Sequence, residues 1–595
     1  MKFCKIFLSL IICFGCVTTY TEPLSPKEAT LESISVELEE ERYGAGYLSA
    51  VRLRNRGIIS APEFDQIRSR VLDSLYDLYE QKRSTGSRAG DDIERTIRYI
   101  LHDEDVADQF EEYNAENGDF LGEDTTPLLH RARVLAEHPY LEGIETLSDT
   151  DIEVLIPKEN YCYSELYLET IGAELNKRSI PYSEITACDV DQHIEALALV
   201  YVDLGVTIRD NYLVPDASVG SAYFIHEDGY LLTNYHVIKS EVDPSYEGVS
   251  RVYISRKFDL SERIPVKVIA YDVDLDIALI KAEISAPMSL FPYPSIRAKR
   301  GSNVLSYGAP SGIPQTVTSG IISATNRERV LPFTDVLQFD AFTSGGSSGG
   351  AILDESGNFV GMTFAGILDS AGLPSGGLNL AIPSETISLI LPRLLEEEGK
   401  HDKPWFGMIA EFREEDMVVA YVVPNSPAQK TGIEKGMRIQ SINGLEVKSV
   451  AQIQKELLKH QYVDGLYEIE LLTEDEEGIS LLLASEARPS DQNEIFMRDI
   501  APSFFGVFLG LDLETIALKR GLRSGEFRVT NTYANTYANI SLNHFSFRRG
   551  DLILLHNWQY TKDDTLFMEF THQGALPRYP QRYYFEIPLY VDSML

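Results

Sequence analysis

Cysteine is scarce, basic residues are outnumbered, and long apolar runs are missing. The 53 Lys and Arg against 91 Asp and Glu leave a formal charge of −38. Such a field repels phosphate backbones, and with no local basic patch to offset it nucleic acid is excluded as a partner. No window approaches 18 consecutive apolar residues, so no mature segment is expected to span a membrane. There is no His-Glu-x-x-His, and the single Cys-x-x-Cys, Cys13 to Cys16, has no second pair to complete a metal site. No metal or organic cofactor is therefore expected. Of the five cysteines only Cys162 and Cys188 lie in the body of the chain. In an oxidising compartment they can form one disulfide; two buried free thiols are the alternative.

What is present begins with a leader. Lys2 and Lys5 precede an apolar run from Ile6 to Phe14, which has the length of a signal-peptide core and points to export. Gly15-Cys16 at its end is similar to a bacterial lipoprotein cleavage site, with Cys16 as candidate lipid attachment and the only route to a membrane. The whole chain is 44% hydrophobic and 24% charged, a globular balance. Its 595 residues suit about three to five folding units.

The texture divides the chain into a leader (1–16), an acidic and mainly helical region (21–191), a β-rich region (195–398), a strand-and-helix unit (404–487) and a terminal unit (495–595). In the acidic region, Ser60-Ala-Pro-Glu63 is a capping-box signal, and Phe64, Ile67, Val71, Leu75, Leu78 and Tyr79 follow at helical spacing. Asp92 to Phe110 and Ser164 to Lys177 are also expected to be helical. Gly44-Ala-Gly46-Tyr-Leu-Ser49 lacks the third glycine and the preceding strand of a nucleotide loop, and is expected to be a plain turn. From Glu195 short β-rich runs separated by turn residues suggest a barrel or sandwich, closed by a helix with Ser384 as N-cap. Lys400 to Lys403 is expected to be a linker. The terminal unit echoes the one before it: Phe504 to Val507 follows Trp405 to Met408, and Arg549 to Ile553 follows Lys435 to Ile439, as in a duplicated fold.

A hydrolytic serine needs a base, an acid to orient that base, and N–H groups aimed at the developing oxyanion. Gly346-Ser-Ser-Gly-Gly350 offers Ser348 flanked by glycines that let the backbone turn, with the N–H groups of Gly346 and Ser348 as the oxyanion hole. His236 ends the strand-like Leu231 to Tyr235. Asp276 stands just before the apolar Ile277 to Ile280, with Asp272 and Asp274 as competitors. Imidazole titrates near 6.5 when unperturbed, so a neutral histidine here can take the serine proton around neutral pH.

Taken in order, these residues sit in blocks that resemble the HtrA/Deg family of exported trypsin-like serine endopeptidases. Gly220 to Ile225 with Asp228 to His236, then Asp276 to Lys281, are similar to its histidine and aspartate blocks. Ser306 to Ser311 and Gln315 to Ala324 are similar to its central block, and Asp340-Ala341, Gly346 to Gly350 and Ala381 to Ser384 to its serine block. The resemblance implies a chymotrypsin-like double β-barrel with His236, Asp276 and Ser348 as the triad. It also implies Phe342, six residues before the serine, as a bulky floor of a specificity pocket shared with Leu378 and Leu380, selecting small or medium aliphatic residues. Arg327 matches a family position that couples the loops to a following domain. Ser344-Gly-Gly-Ser-Ser-Gly-Gly350 lacks the family's usual proline, which makes a flexible oxyanion loop and a latent resting state the expectation.

Trp405-Phe-Gly-Met408 resembles the carboxylate-binding loop of PDZ domains, and Pro424 to Ile433 with Gly436 to Gly444 resembles their characteristic turn. A PDZ domain would take peptide C-termini or extended segments by strand addition. The terminal unit is expected to be a degenerate PDZ-like α+β domain. The fold expected for the whole chain is therefore multidomain: a helical N-terminal region, a double-barrel protease, one clear PDZ domain and one degenerate one. The function implied is an ATP-independent endopeptidase of unfolded or misfolded envelope proteins, as a possible trimer. The alternative is a chaperone or peptide-binding scaffold built on an inactive barrel.

Overall fold

The computed structural model describes, apart from short gaps, residues 43–55, 59–83, 126–413, 416–487, 511–518, 525–532, 547–560, 565–573 and 581–588. Cys16, most of the Asp92 to Phe110 segment and Phe504 to Val507 lie outside the described residues. By contacts the chain divides into two units, residues 11–325 with 337–401, and residues 326–336 with 402–595.

The first unit opens with helices α1 (Tyr43–Asn55) and α2 (Ala61–Arg83). One half of the capping box forms: Ser60 donates its backbone N–H to the Glu63 carboxylate at 2.7 Å, and its hydroxyl donates to the same carboxylate at 2.7 Å. Phe64, Val71 and Leu75 then bury against Tyr47, Ala50 and Leu53 of α1. This contact corrects the turn expected at Gly44 to Ser49. Local glycines argue for a turn, but an apolar face that finds a partner helix outweighs a propensity penalty of roughly 1 kcal/mol per glycine.

Helices α3 (Thr126–Glu137), α4 (Asp149–Glu153), α5 (Glu165–Arg178) and α6 (Val190–Glu195) follow. Ser164 caps α5 by accepting the Tyr167 N–H at 3.2 Å, so the helix expected from Ser164 is present. This region belongs to the same compact unit as the barrels. Arg131 of α3 shows why. Buried to 4% exposure, its guanidinium lies 5.1 Å from the ring centroids of Tyr161 and Phe291 and bonds the Tyr163 hydroxyl at 3.1 Å. An aromatic box of this kind replaces the water the cation loses. Arg133 pairs with Glu396 at 2.7 Å, and the Cys162 N–H donates to the Ser289 carbonyl at 2.7 Å. Cys162 and Cys188 form a disulfide with Cα atoms 5.3 Å apart, closing a loop around α5.

His193 of α6 is 3% exposed. Neither ring nitrogen has a hydrogen-bond partner; the ring packs on Tyr307, centroids 5.8 Å apart. Burial pushes its pKa down, against the opposing pull of Asp189. A histidine held neutral in the folded chain but free to protonate once unfolded makes the unfolded state bind more protons, so stability falls as pH drops below about 6.5. Thermal unfolding midpoints are expected to fall from neutral to mildly acidic pH, and His193→Leu is expected to flatten part of that fall.

Two closed six-stranded barrels come next. The first, antiparallel throughout, runs β1 (Leu197–Arg209), β2 (Tyr212–Phe224), β3 (Tyr230–Thr233), β4 (Arg251–Ser255), β5 (Ile264–Asp272) and β6 (Ile277–Ala282), in spatial order β5-β4-β1-β2-β3-β6, closed by β5 against β6. The second runs β7 (Asn303–Gly308), β8 (Thr316–Leu331), β9 (Thr334–Phe339), β10 (Ala351–Asp354), β11 (Phe359–Leu368) and β12 (Pro374–Pro383), in order β11-β10-β7-β8-β9-β12, closed by β11 against β12. Each is filled by its own apolar core, around Val200, Phe224 and Ile280 in one and Ile322, Phe339 and Ile352 in the other. The arrangement fits a chymotrypsin-like double barrel. The closing helix, Ser384–Glu396, has Pro383 rather than Ser384 at its N-cap. The expected linker is ordered chain: Gly399 and Lys400 pair in parallel with Ala270 and Tyr271, and His401 and Lys403 are buried.

In the second unit, strands β13 (Met408–Arg413), β14 (Asp416–Val422), β15 (Arg438–Ile442), β16 (Leu466–Leu472) and β17 (Gly478–Ala484) form one sheet in that order, with β13 at an edge, and helix α7 (Val450–His460) between β15 and β16 in sequence. The tip of the β8–β9 hairpin belongs here. Asp335 pairs with Lys455 of α7 at 2.7 Å, and the Phe333 N–H donates to Gln454 at 3.2 Å. Arg327 is exposed at the base of that tip. The terminal sheet is a five-stranded antiparallel meander of Leu511–Leu518, Gly525–Thr532, Leu552–Tyr560, Thr565–Gln573 and Gln581–Pro588 in chain order. No helix is described within it, whereas the preceding unit carries α7, so its described part is β alone.

Candidate active site

β3 ends at Thr233, and the helix Tyr235–Val242 begins two residues later, which places His236 in the first turn after a buried strand. Asp276 stands one residue before β6, whose side chains are all buried. β3 and β6 are hydrogen-bonded neighbours, Thr233 opposite Ala278, so one sheet register brings the two residues together. His236 Nδ1 lies 2.7 Å from Asp276 Oδ2, and the His236 backbone N–H donates to Oδ1 at 2.8 Å. Both carboxylate oxygens are thus committed to one residue, and the side chains are only 13% and 8% exposed. Of the competing aspartates, Asp272 is engaged elsewhere, accepting the Leu275 N–H at 2.9 Å. Asp276 adopts φ +55°, and the Asn234 side chain donates to its carbonyl at 2.8 Å, holding this uncommon conformation.

Ser348 is fully buried, and its hydroxyl donates to the Phe364 carbonyl at 3.3 Å. The loop carrying it abuts the strand that leads to His236. Gly349, at φ +86°, comes so close that a Cβ there would fall 2.0 Å from the Ser221 carbonyl and 2.6 Å from Thr233 Oγ1. Only glycine fits. Gly346, at φ +98°, is equally constrained against the Ala309 carbonyl. The flexible loop expected from the missing proline is in fact pinned. The Ser311 N–H donates to Gly345 O at 2.6 Å, Ser347 N–H to Ser344 O at 3.0 Å, and Gly349 N–H to Thr363 O at 2.8 Å. Because a trans peptide points its C=O and N–H in opposite directions, the tie on Gly345 O turns the Gly346 N–H away from Ser311.

The specificity floor is corrected. Phe342 is 65% exposed, so its ring stands in solvent and floors nothing, while Leu378 is half-buried and Leu380 fully buried. Two buried side chains beside it, Thr343 and Asn379, are polar. Thr343 donates to Asn379 Oδ1 and Asn379 Nδ2 to the Ala341 carbonyl, both at 2.7 Å. Sequence reasoning missed Asn379, although a lone amide between Leu378 and Leu380 was a usable signal.

The comparisons with known proteins bear on this geometry. Residues 220–362 match the trypsin-like peptidase domain. A DegP-like periplasmic serine endoprotease of Marinomonas sp. (strain MWYL1) is 28% identical over 311 residues, 49% of this chain and 62% of its own. One of Brucella suis biovar 1 (strain 1330) is 32% identical, over 38% of this chain and 45% of its own. The serine endoprotease DegS of Haemophilus influenzae is 32% identical over 257 residues, covering 42% of this chain and 72% of its own. The chain belongs to the HtrA/Deg family of serine endoproteases. It spans less than two thirds of the first two relatives' length. A solved HtrA-type protease, AlgW with a decapeptide, aligns at 23% identity and a TM-score of 0.41 over 50% of this chain and 98% of its own.

The unit after the barrels carries the Trp405 to Met408 loop. Trp405, Phe406 and Met408 are buried, and Gly407 at φ +75° packs on Ser426. Phe406 O and Gly407 O accept from Ala428 and Val423 N–H groups at 2.9 and 2.7 Å. The loop therefore feeds directly into the sheet-edge strand β13.

Proposed function

We propose that this chain is an exported serine endopeptidase acting on unfolded proteins, with His236 as general base, Asp276 as its orienter and Ser348 as nucleophile. The observation that carries the reading is the His236–Asp276 pair, in which a buried carboxylate holds the imidazole by both its ring and its own backbone N–H. A carboxylate there keeps the proton on Nδ1 and leaves Nε2 to take the serine proton. Ser348 Oγ attacks the scissile carbonyl, the oxyanion is received by the N–H groups of Gly346 and Ser348, and the imidazolium returns its proton to the leaving amine. Water then repeats the sequence on the acyl-enzyme.

Two further features support the substrate class and place. Strand β13 lies at a sheet edge next to the Trp405 to Met408 loop, a geometry that suits pairing with an extended, unfolded segment. The leader from Lys2 to Phe14, together with relatives named periplasmic, supports export to the cell envelope.

The test is degradation of casein, an unfolded model substrate, by the mature chain beside Ser348→Ala. Cleavage by the first and none by the second is expected. Suppressed aggregation of a client protein with no cleavage by either would favour the scaffold reading.

A further inference from the structure

We propose that Ser221, a residue of the first barrel, is a positioning residue that fixes the oxyanion hole of the second. The proposal rests on the protease reading above and adds a residue to it.

Ser221 lies in β2 and is 1% exposed. Its hydroxyl donates to the Gly346 carbonyl at 2.7 Å and accepts the Ala309 N–H at 2.9 Å. Its backbone N–H donates to the carbonyl of Ser348 itself at 2.7 Å, and its own carbonyl accepts from Thr233 Oγ1 at 2.7 Å. One small residue, through its hydroxyl and its backbone, therefore joins the strand that precedes His236, the turn after β7 and the loop that carries the nucleophile.

The two oxyanion donors, the N–H groups of Gly346 and Ser348, are separated by a single peptide plane, that of Gly346 and Ser347. The angle between the donors is set by how that plane is held. On the Gly346 side, Gly345 O is tied by the Ser311 N–H at 2.6 Å; on the Ser348 side, Ser347 O is tied by the Gly350 N–H at 3.0 Å. The intervening plane is held at its N–H by Ser344 O and at its carbonyl by the Ser221 hydroxyl. Gly345 and Gly346 have no Cβ to restrict their backbone, so these external ties decide the conformation. Removing the hydroxyl leaves the buried Gly346 carbonyl and Ala309 N–H without this partner, which drives the plane to rotate in search of another. Oxyanion stabilisation depends on donors already aimed at a small target, so the loss is felt in the transition state and not in substrate binding.

The experiment compares the full chain with Ser221→Ala on a fluorogenic peptide, with activity corrected for the folded fraction. The expected result is a kcat lower by roughly ten- to a hundredfold, less than the hundred- to thousandfold for deleting a donor outright, with KM within about twofold. Affinity for a peptide aldehyde, whose adduct puts an oxygen in the hole, is expected to fall by the same factor. Unchanged kcat, or a loss shared between kcat and KM, overturns the proposal. A second readout needs no turnover: amide exchange of residues 344–350 is expected to speed up in Ser221→Ala while the strands of both barrels keep their protection. Unchanged exchange in that segment overturns the clamp even in a chain that cleaves nothing, whereas an inert wild type with a Ser221-dependent loop would sink the protease reading and leave the clamp standing.

Discussion

Ser348→Ala is expected to lower kcat on casein by on the order of a millionfold, the size of loss found when the nucleophile of a working triad is removed. The effect is large because, under the proposed assignment, base, orienter and oxyanion donors all serve one oxygen, and without it they have nothing to activate. Folding should survive. The hydroxyl makes a long 3.3 Å bond to the Phe364 carbonyl, while the loop is held mainly by backbone ties from Ser221, Ser311 and Thr363. An unchanged thermal midpoint beside abolished turnover is the expected pattern. Residual proteolysis above a thousandth of wild type, in material free of contaminating protease, would contradict the assignment.

Asp276→Asn is expected to cost about four orders of magnitude in kcat, as in other triads where the same change reverses the imidazole tautomer. The local geometry explains why an amide cannot substitute. The His236 backbone N–H is a fixed donor facing Oδ1 at 2.8 Å. An asparagine must turn its only acceptor oxygen toward that donor, which puts its NH2 group against Nδ1. The imidazole is then forced to carry its proton on Nε2, where it cannot act as base. The backbone should tolerate the change, since asparagine is among the few residues at ease at φ +55°. Retention of a tenth or more of wild-type kcat, with the folded state intact, would show that Asp276 only packs beside His236.

The site was legible in the sequence where chemistry is carried by short contiguous blocks. His236, Asp276 and the Gly346 to Gly350 loop each occupy a strand end or turn defined by neighbouring residues, and the order of these blocks was enough to name them as candidates. Asp272 and Asp274 were separable only in three dimensions, because register decides which carboxylate faces the ring, and β3 pairs with β6 so that Asp276 does. The Phe342 floor failed for a related reason. A position counted back from the serine fixes where the backbone is, but not whether the side chain turns inward or into solvent.

The helix Ala61–Arg83 was readable from its cap and apolar spacing, whereas Tyr43–Asn55 was not, because its glycines suppress the local signal and its stability comes from α2. The attachment of residues 126–195 to the barrels was invisible for the same cause: Arg131 reads as a surface cation until Tyr161, Tyr163 and Phe291 arrive from elsewhere in the chain. Likewise nothing local marks residues 326–336 as joining the unit that contains Lys455. Sequence periodicity reports which face of an element is apolar, and leaves open what will cover it.

The central claim, that Ser348 is a nucleophile activated in place, is tested most directly by treating the purified chain with a fluorophosphonate and measuring intact mass and the modified peptide. The account predicts one adduct per chain, on Ser348, formed in wild type and lost in Ser348→Ala, with Asp276→Asn reacting far more slowly. No adduct on a folded wild-type chain, or an adduct on another residue, would contradict it.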